Sequence, residues 1–323
     1  MNGHGASLNT LMKHMRDTAG IAISGSDQKR QLMLSGYYHG YKGYRYSRNP
    51  QNKIPYRTYA EIQSVIDFDE KIKASLYRPV MQLETALKSI VSEIIVKCAG
   101  SDSFSVIIEK LMHANGHKKQ DDFIAKKYKM RDEVYSSLTK AYSRSNIVKH
   151  YYDKDTYVPI WAIFEVLTLG QFGTFVNLLD VNVKLEISKT LCLPIKYNTD
   201  GALLSTLIYM LRDLRNAIAH NSPIFDVRYR GNRGISQTVK HWLENETLIQ
   251  NITFGYLADD IIFVFTLMKN LKFKKTQLYT SLKGIIAIDS ELYKNIGAPL
   301  YMTVFTSETR KKYIGLSKYL HSN

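Results

Sequence analysis

Apolar residues recur along most of this chain at three- and four-residue intervals, the spacing of amphipathic helices, and runs that alternate every second residue are few. The clearest stretch runs from Thr58 to about Ala99, where Ile62, Ile66, Ile72, Leu76, Val80, Leu83, Leu87, Ile90, Ile94 and Ile95 fall on helical spacing. Pro79 sits in its middle and predicts a break or restart, because proline lacks the N–H that an interior position donates. Shorter helices are predicted over Leu8–Arg16 and Asp27–Leu34, and two buried ones between Pro159 and Leu179, separated near Gly170. A further helix from about Gly201 to Ala219 has Thr199 or Asp200 as its cap and Pro223 beyond its end. Another spans Leu257 to Leu271, where Lys272, Lys274 and Lys275 suit the negative end of its dipole. Residues 101 to 150 are more polar and carry Lys118, Lys119, Lys126, Lys127 and Arg131, which reads as a solvated basic flank with an RNA contact as the alternative. No repeat with a period of roughly 20 to 50 residues is present. The pattern predicts a mainly α protein, with a helical core over residues 58–227, an N-terminal extension over 1–57 and a helical C-terminal extension over 228–323.

One segment departs from the helical pattern. Between Gly36 and Tyr59 lie Tyr37, Tyr38, Tyr41, Tyr44, Tyr46, Tyr56 and Tyr59, interleaved with Lys42, Arg45, Arg48, Lys53 and Arg57. Its glycines and Asn49-Pro50 predict turns. Packing of these rings on the first core helix is one reading; stacking on the bases of single-stranded RNA is the sharper one. Past Phe225, Arg228, Arg230 and Arg233 cluster with Gly231 and Gly234 in a basic loop.

Composition supports the RNA reading. Hydrophobic residues make up 45% of the chain and charged ones 23%, so a folded protein is expected rather than a disordered one. Lys and Arg total 44 against 29 Asp and Glu, a net charge of +15, which favours a polyanionic partner. The 23 tyrosines against 12 Phe and 2 Trp add rings that both stack and hydrogen-bond. Cys98 and Cys192 form no Cys-x-x-Cys pair, so a zinc cluster is not expected; both are read as buried, reduced thiols. The first residues lack a secretory signal pattern, and no run is long and apolar enough to span a bilayer. A cytoplasmic protein without cofactor or metal is expected.

The sharpest local signal is Leu211-Arg-Asp-Leu-Arg215-Asn216-Ala-Ile-Ala-His220-Asn221-Ser-Pro223 at the end of the predicted 201–219 helix. A metal-free ribonuclease needs a group that moves protons at the ribose 2′-hydroxyl and at the leaving oxygen, and histidine does this near neutral pH. It also needs a fixed cation beside the charge that develops on phosphorus, a role suited to arginine. Asn216 can orient the imidazole or bond a phosphate oxygen. Capping of the helix end is the plain alternative for all three residues. On one straight helix Asn216 and His220 lie about 40° apart, whereas Arg215 and His220 lie about 140° apart. Two arrangements resolve that angle: unwinding near His220, or a second copy supplying the missing groups across a two-fold axis, of which the second is favoured.

The chain resembles the Abi family of bacterial abortive-infection proteins, the AbiD- and AbiF-like group, in an order that runs along its first 230 residues. Gly36-Tyr37-Tyr38-His-Gly-Tyr41-Lys-Gly-Tyr44 is similar to the family's Tyr-Tyr-Arg-Leu-x-Gly-Tyr segment, with His39 in place of the usual Arg. Asp67-Phe68-Asp69-Glu-Lys71 and Leu83-Glu84-Thr-Ala-Leu87 resemble its first long helices. Pro159-Ile-Trp161 with Glu165 and Gly170 resembles its Pro-x-Trp-x-x-x-Glu region, and Leu214-Arg215-Asn216-Ala-Ile-Ala219-His220-Asn221 its Arg-Asn-x-x-x-His signature. Asn221 stands where members often carry a second His. The resemblance implies a HEPN-like helical bundle, a homodimer joining two motifs, metal-independent endoribonuclease activity at Arg215, Asn216 and His220, and an associated small non-coding RNA. It also implies that Glu84 lies beside the motif, as a structural partner of Arg215.

The leading expectation is therefore a dimeric endoribonuclease of anti-phage defence, held in check by a bound RNA. RNA contacts are expected at Tyr37, Tyr38, Lys42, Arg45, Arg228, Arg230 and Arg233. The alternatives are a non-catalytic HEPN protein that holds a structured RNA, and a protein-interaction module whose charge only solubilises it.

Overall fold

The computed structural model of the protein describes residues 7–114, 120–231 and 234–322. In chain order the helices are α1 (Leu8–Asp17), α2 (Gly25–Ser35), α3 (Tyr59–Ala99), α4 (Phe104–Leu111), α5 (Gln120–Ala141), α6 (Asn146–Asp153) and α7 (Ile160–Val166). Then follow α8 (Leu169–Leu178), α9 (Val181–Thr190), α10 (Ala202–Ala219), α11 (Gln237–Thr247), α12 (Leu257–Asn270), α13 (Lys275–Val304) and α14 (Ser307–His321). Isolated bridges, such as Ala22 with Thr58, are the β pairings among the described residues. The protein is a mainly α helical bundle.

The spine is α3. At 41 residues it is about 60 Å long. Its start is fixed by a capping box, in which Thr58 accepts from the Glu61 N–H and Glu61 accepts from the Thr58 N–H. Its end is set by left-handed Gly100. The break expected at Pro79 is absent: the helix continues through it, with Pro79 buried among Leu76, Val80 and Leu83. Packing on that apolar face outweighs the single backbone hydrogen bond that proline removes. Helices α4, α7, α9, α10, α12 and α13 all pack on α3, and α8 packs on α10.

The C-terminal helices join the same core. α12 is buried from Leu257 to Met268, including the carboxylates of Asp259 and Asp260 in its first turn. Asp259 accepts from the Thr253 and Phe254 N–H groups and pairs with Lys312, so the charge sits at the positive helix end with its donors satisfied. α13 bends where Gly297 takes a φ of 74°, ahead of Pro299. Lys274 and Lys275 do not end α12, as the sequence pattern predicted; they open α13, because the chain turns already at Leu271 and Lys272.

Two further expectations are corrected. Cys98 and Cys192 are exposed, since Ile94, Ile95 and Ala99 fill the inward positions of α3 and Leu191 and Leu193 flank Cys192 inward. Neither Thr199 nor Asp200 occupies the N-cap of α10, which is left-handed Gly201; instead Asp200 accepts from the Ala202 N–H and Asn198 from the Leu203 N–H.

Candidate functional site

α10 and the loop beyond it run antiparallel to α3, and pairs between them pin the Arg-Asn-x-x-x-His stretch at intervals. The Arg215 Nε donates to Glu84 at 3.1 Å. Glu84 is held in turn by Lys88 at 2.9 Å, and Lys88 also donates to the Leu167 carbonyl. Six residues further on, Asn221 accepts from Lys73. Beyond that, the Ile224 and Phe225 N–H groups donate to Asp69 at 2.9 and 2.7 Å. As the chain advances from Arg215 to Phe225, its partners on α3 step back from Glu84 to Asp69.

The helix ends at the motif itself. His220 is the C-cap, Asn221 is left-handed with a φ of 51°, and the N–H groups of Asn221 and Ser222 return to Ile218 and Ala217. This is a Schellman ending with asparagine in the usual glycine position. It explains Asn221 structurally: asparagine tolerates the left-handed backbone, and its side chain takes the Lys73 ammonium. His220 is exposed at this corner. The Arg215 side chain is 32% exposed and its Nη1 donates to the Asn216 Oδ1 at 3.2 Å, so Asn216 orients the arginine here. The arrangement ties a guanidinium down at its Nε and Nη1 and leaves a histidine accessible five residues on.

Asp69 anchors the corner. Fully buried, it accepts from the Tyr44 hydroxyl at 2.8 Å and pairs with Lys73 at 3.0 Å, besides the two backbone N–H groups. Burial pushes its carboxyl up from the ordinary range, opposed by Lys73 and the hydrogen bonds. Burial, and then the neighbouring Asp69 charge, push the Tyr44 hydroxyl up as well. The sequence reading assigned no role to Asp69, Lys73 or Lys88. The available signal was two acid–lysine pairs, 69 with 73 and 84 with 88, spaced four apart within an otherwise apolar helix face.

The tyrosine-rich segment folds against this corner. Tyr37–Lys42 is a single π-type turn. Tyr44 stacks on Phe225 at 5.3 Å, the Tyr56 hydroxyl donates to the Tyr44 carbonyl, and the Arg48 N–H donates to Asp226. Tyr41, Tyr44, Tyr56 and Tyr59 are core residues, whereas Tyr38 is 73% exposed. Both readings of the segment therefore have residues that fit them.

The structure sorts the seven sequence candidates for RNA contact. Tyr38, Lys42, Arg45 and Arg228 line one pocket with His39, Gly43, Tyr46 and Pro223. Tyr37 is half-buried, packed on Tyr41 at 5.4 Å with Lys42 over its ring. Arg230 was placed by sequence in a surface loop; it is buried instead, paired with Asp260 and lying over the Phe254 ring at 4.9 Å, so it ties the loop to α12. Arg233 lies outside the described residues, as do Lys118 and Lys119. Among the described residues no group of three or more His, Cys, Asp or Glu side chains could hold a metal ion, and no helix is long and apolar enough to cross a membrane.

The family model for Abi-like proteins matches residues 30–226, from α2 through the Asp69-anchored loop. The chain belongs to the Abi-like protein family. Membership carries an association with abortive infection, the anti-phage defence for which the family is named. The match spans both halves of the corner: the tyrosine segment and α3 on one side, α10 and its Schellman ending on the other. No curated protein and no solved structure matches this Abi-like protein.

Proposed function

We propose that this Abi-like protein is an endoribonuclease of abortive infection that works as a homodimer with a composite HEPN site. His220 moves the protons and Arg215 meets the charge on phosphorus. The observation that carries the reading is the corner itself: an accessible histidine at the end of α10, with an arginine braced through Glu84 and Lys88 yet still a third exposed. Arg215 bonds Glu84 and the Asn216 side chain rather than the last carbonyls of α10, so helix capping does not account for it.

In the proposed reaction the ribose 2′-oxygen attacks phosphorus and the bond to the 5′-oxygen breaks. One histidine takes the 2′-hydroxyl proton and a histidine returns a proton to the leaving 5′-oxygen, giving a 2′,3′-cyclic phosphate and a 5′-hydroxyl. Arg215 offers the guanidinium N–H groups that Glu84 and Asn216 leave unused to the negative oxygens. The scheme uses no metal ion. Because α10 stays helical through Ala219, Arg215 and His220 still diverge by about 140°, which is why a second copy is needed to complete the site. A structured small RNA on the basic surface is the proposed regulator, and the cytoplasm the proposed compartment.

The test is cleavage of single-stranded RNA in the presence of a chelator, with end-group analysis. Wild type is expected to leave cyclic phosphate ends and His220→Ala to lose at least about 10²-fold in rate with an unchanged melting curve. Cleavage retained in His220→Ala overturns the assignment. RNA that co-purifies with wild type but is never cut favours the second reading, a non-catalytic RNA-binding protein, for which the +15 charge and the exposed Tyr38 speak.

A further inference from the structure

The pocket beside the motif corner has a chemistry that the ribonuclease reading does not by itself require. Its volume is about 400 Å³, within the size range of small-ligand sites. Its walls include Tyr38, Lys42, Arg45, Pro223 and Arg228, and among the described residues no carboxylate lines it. Arg228 is committed: it grips Asp226 and donates to the Tyr46 carbonyl, so it builds the wall. Lys42 and Arg45 are not committed in this way. Neither has an acidic partner among the described residues; Lys42 sits over the Tyr37 ring, and Arg45 lies against the rings of Tyr41 and Tyr46 at 5.7 and 5.3 Å. The Arg45 Nε is enclosed and has no hydrogen-bond partner. Lys42 and the Arg45 guanidinium line the pocket, so an anionic oxygen entering it meets two cations that no carboxylate among the described residues neutralises.

The local fold keeps this pocket open. The π-type turn places Tyr38 and Lys42 about one turn apart, and such turns recur at functional sites. Gly40 permits it, since a Cβ there would stand 2.6 Å from the Ser35 Oγ. Gly43 packs beside the loop after α10, where a Cβ would make an ordinary contact with the Pro223 ring at 3.6 Å. Pro223 is three residues past His220, so the pocket wall lies within about 11 Å of chain from the histidine.

Cations, an exposed ring face and a location beside the cleaving group fit one ligand class. We propose that this pocket is a subsite for a nucleotide of the RNA strand adjacent to the scissile bond, with its base on Tyr38 and its phosphate on Lys42 and Arg45. The proposal rests on the ribonuclease reading and deepens it: the subsite would set where along a strand His220 acts.

The experiment uses the full-length protein and a fluorescein-labelled single-stranded RNA of mixed sequence, in binding and in single-turnover cleavage. The variants are Tyr38→Ala, Lys42→Ala, the pair Arg45→Ala and Arg45→Lys, and Lys283→Ala as an exposed control on α13. Tyr38 and Lys42 are exposed, so their variants are expected to melt as wild type does. Tyr38→Ala and Lys42→Ala should each raise KM and Kd about tenfold with kcat little changed. Lys42→Ala should also lower the salt slope of binding by about one. Arg45→Lys should restore part of what Arg45→Ala loses. Wild-type KM in Tyr38→Ala and Lys42→Ala, in a protein that does cut RNA through His220, overturns the subsite and leaves the ribonuclease reading standing. A wild type that binds RNA without cutting it overturns the ribonuclease reading, and loss of that binding in the same variants still supports a nucleotide pocket. A wild type that neither binds nor cuts RNA overturns both.

Discussion

Replacing Asp69 by Asn tests whether the corner is held as described. Asp69 receives four donors: Ile224 and Phe225 N–H on Oδ1, Tyr44 hydroxyl and Lys73 ammonium on Oδ2. Asparagine keeps the first oxygen and turns the second into an amide that faces an ammonium 7% exposed. Breaking a buried ion pair on one side costs about 3–5 kcal/mol, because the other charge stays buried. The Asn221 oxygen still accepts from Lys73, which favours the lower half of that range. For a protein of this size that is a Tm loss of roughly 5 °C. Urea unfolding followed by fluorescence of the buried Trp242 reads it as a shift of midpoint. Adding Lys73→Met removes the stranded charge, so the double variant should regain at least about 1.5 kcal/mol over Asp69→Asn. An Asp69→Asn variant within about 1 kcal/mol of wild type, or a double variant no better than the single, refutes the claim that this pair anchors the loop.

Three further outcomes are expected. Arg215→Ala should lose about 10²–10³-fold in kcat, and mixing it with His220→Ala should restore part of the RNA cleavage that each lacks, because one mixed dimer still holds an arginine and a histidine; no recovery on mixing counts against a shared site. Glu84→Gln should lower kcat more than it changes KM, since it releases the Arg215 guanidinium without touching the pocket; a pure KM effect in steady-state cleavage would contradict its bracing role. Gly40→Ala should destabilise by about 1–3 kcal/mol through the clash with Ser35, with Ser35→Gly restoring stability; thermal melting of the single and double variants checks it.

Helices were legible wherever apolar spacing was long and regular: α3 begins at its capping box and ends within a residue of its expected limit, and α10 covers the expected range. That period is local, since each turn repeats the same face to the core. Pro79 was misjudged because its effect depends on what packs around it, Cys98 because apolar neighbours in sequence do not share a helix face, and Cys192 because it lies in a left-handed turn just past α9. The motif residues were legible as residue types, as was Glu84 as a partner of Arg215, now seen at 3.1 Å.

The sequence by itself determined a mainly α protein, a strongly basic surface and the Arg-Asn-x-x-x-His stretch, because composition and short-range periodicity need no partners. Tertiary structure alone decided which of the basic residues meet. Arg228 and Arg230 are two apart in sequence, yet one lines the pocket with Tyr38, Lys42 and Arg45, while the other is buried against Asp260. Asp69 decided where the loop carrying Pro223 sits, by gathering donors from two distant stretches of chain besides Lys73 on its own helix. The physical reason is that a buried charge must find its partners wherever the fold brings them, and no local pattern records that requirement.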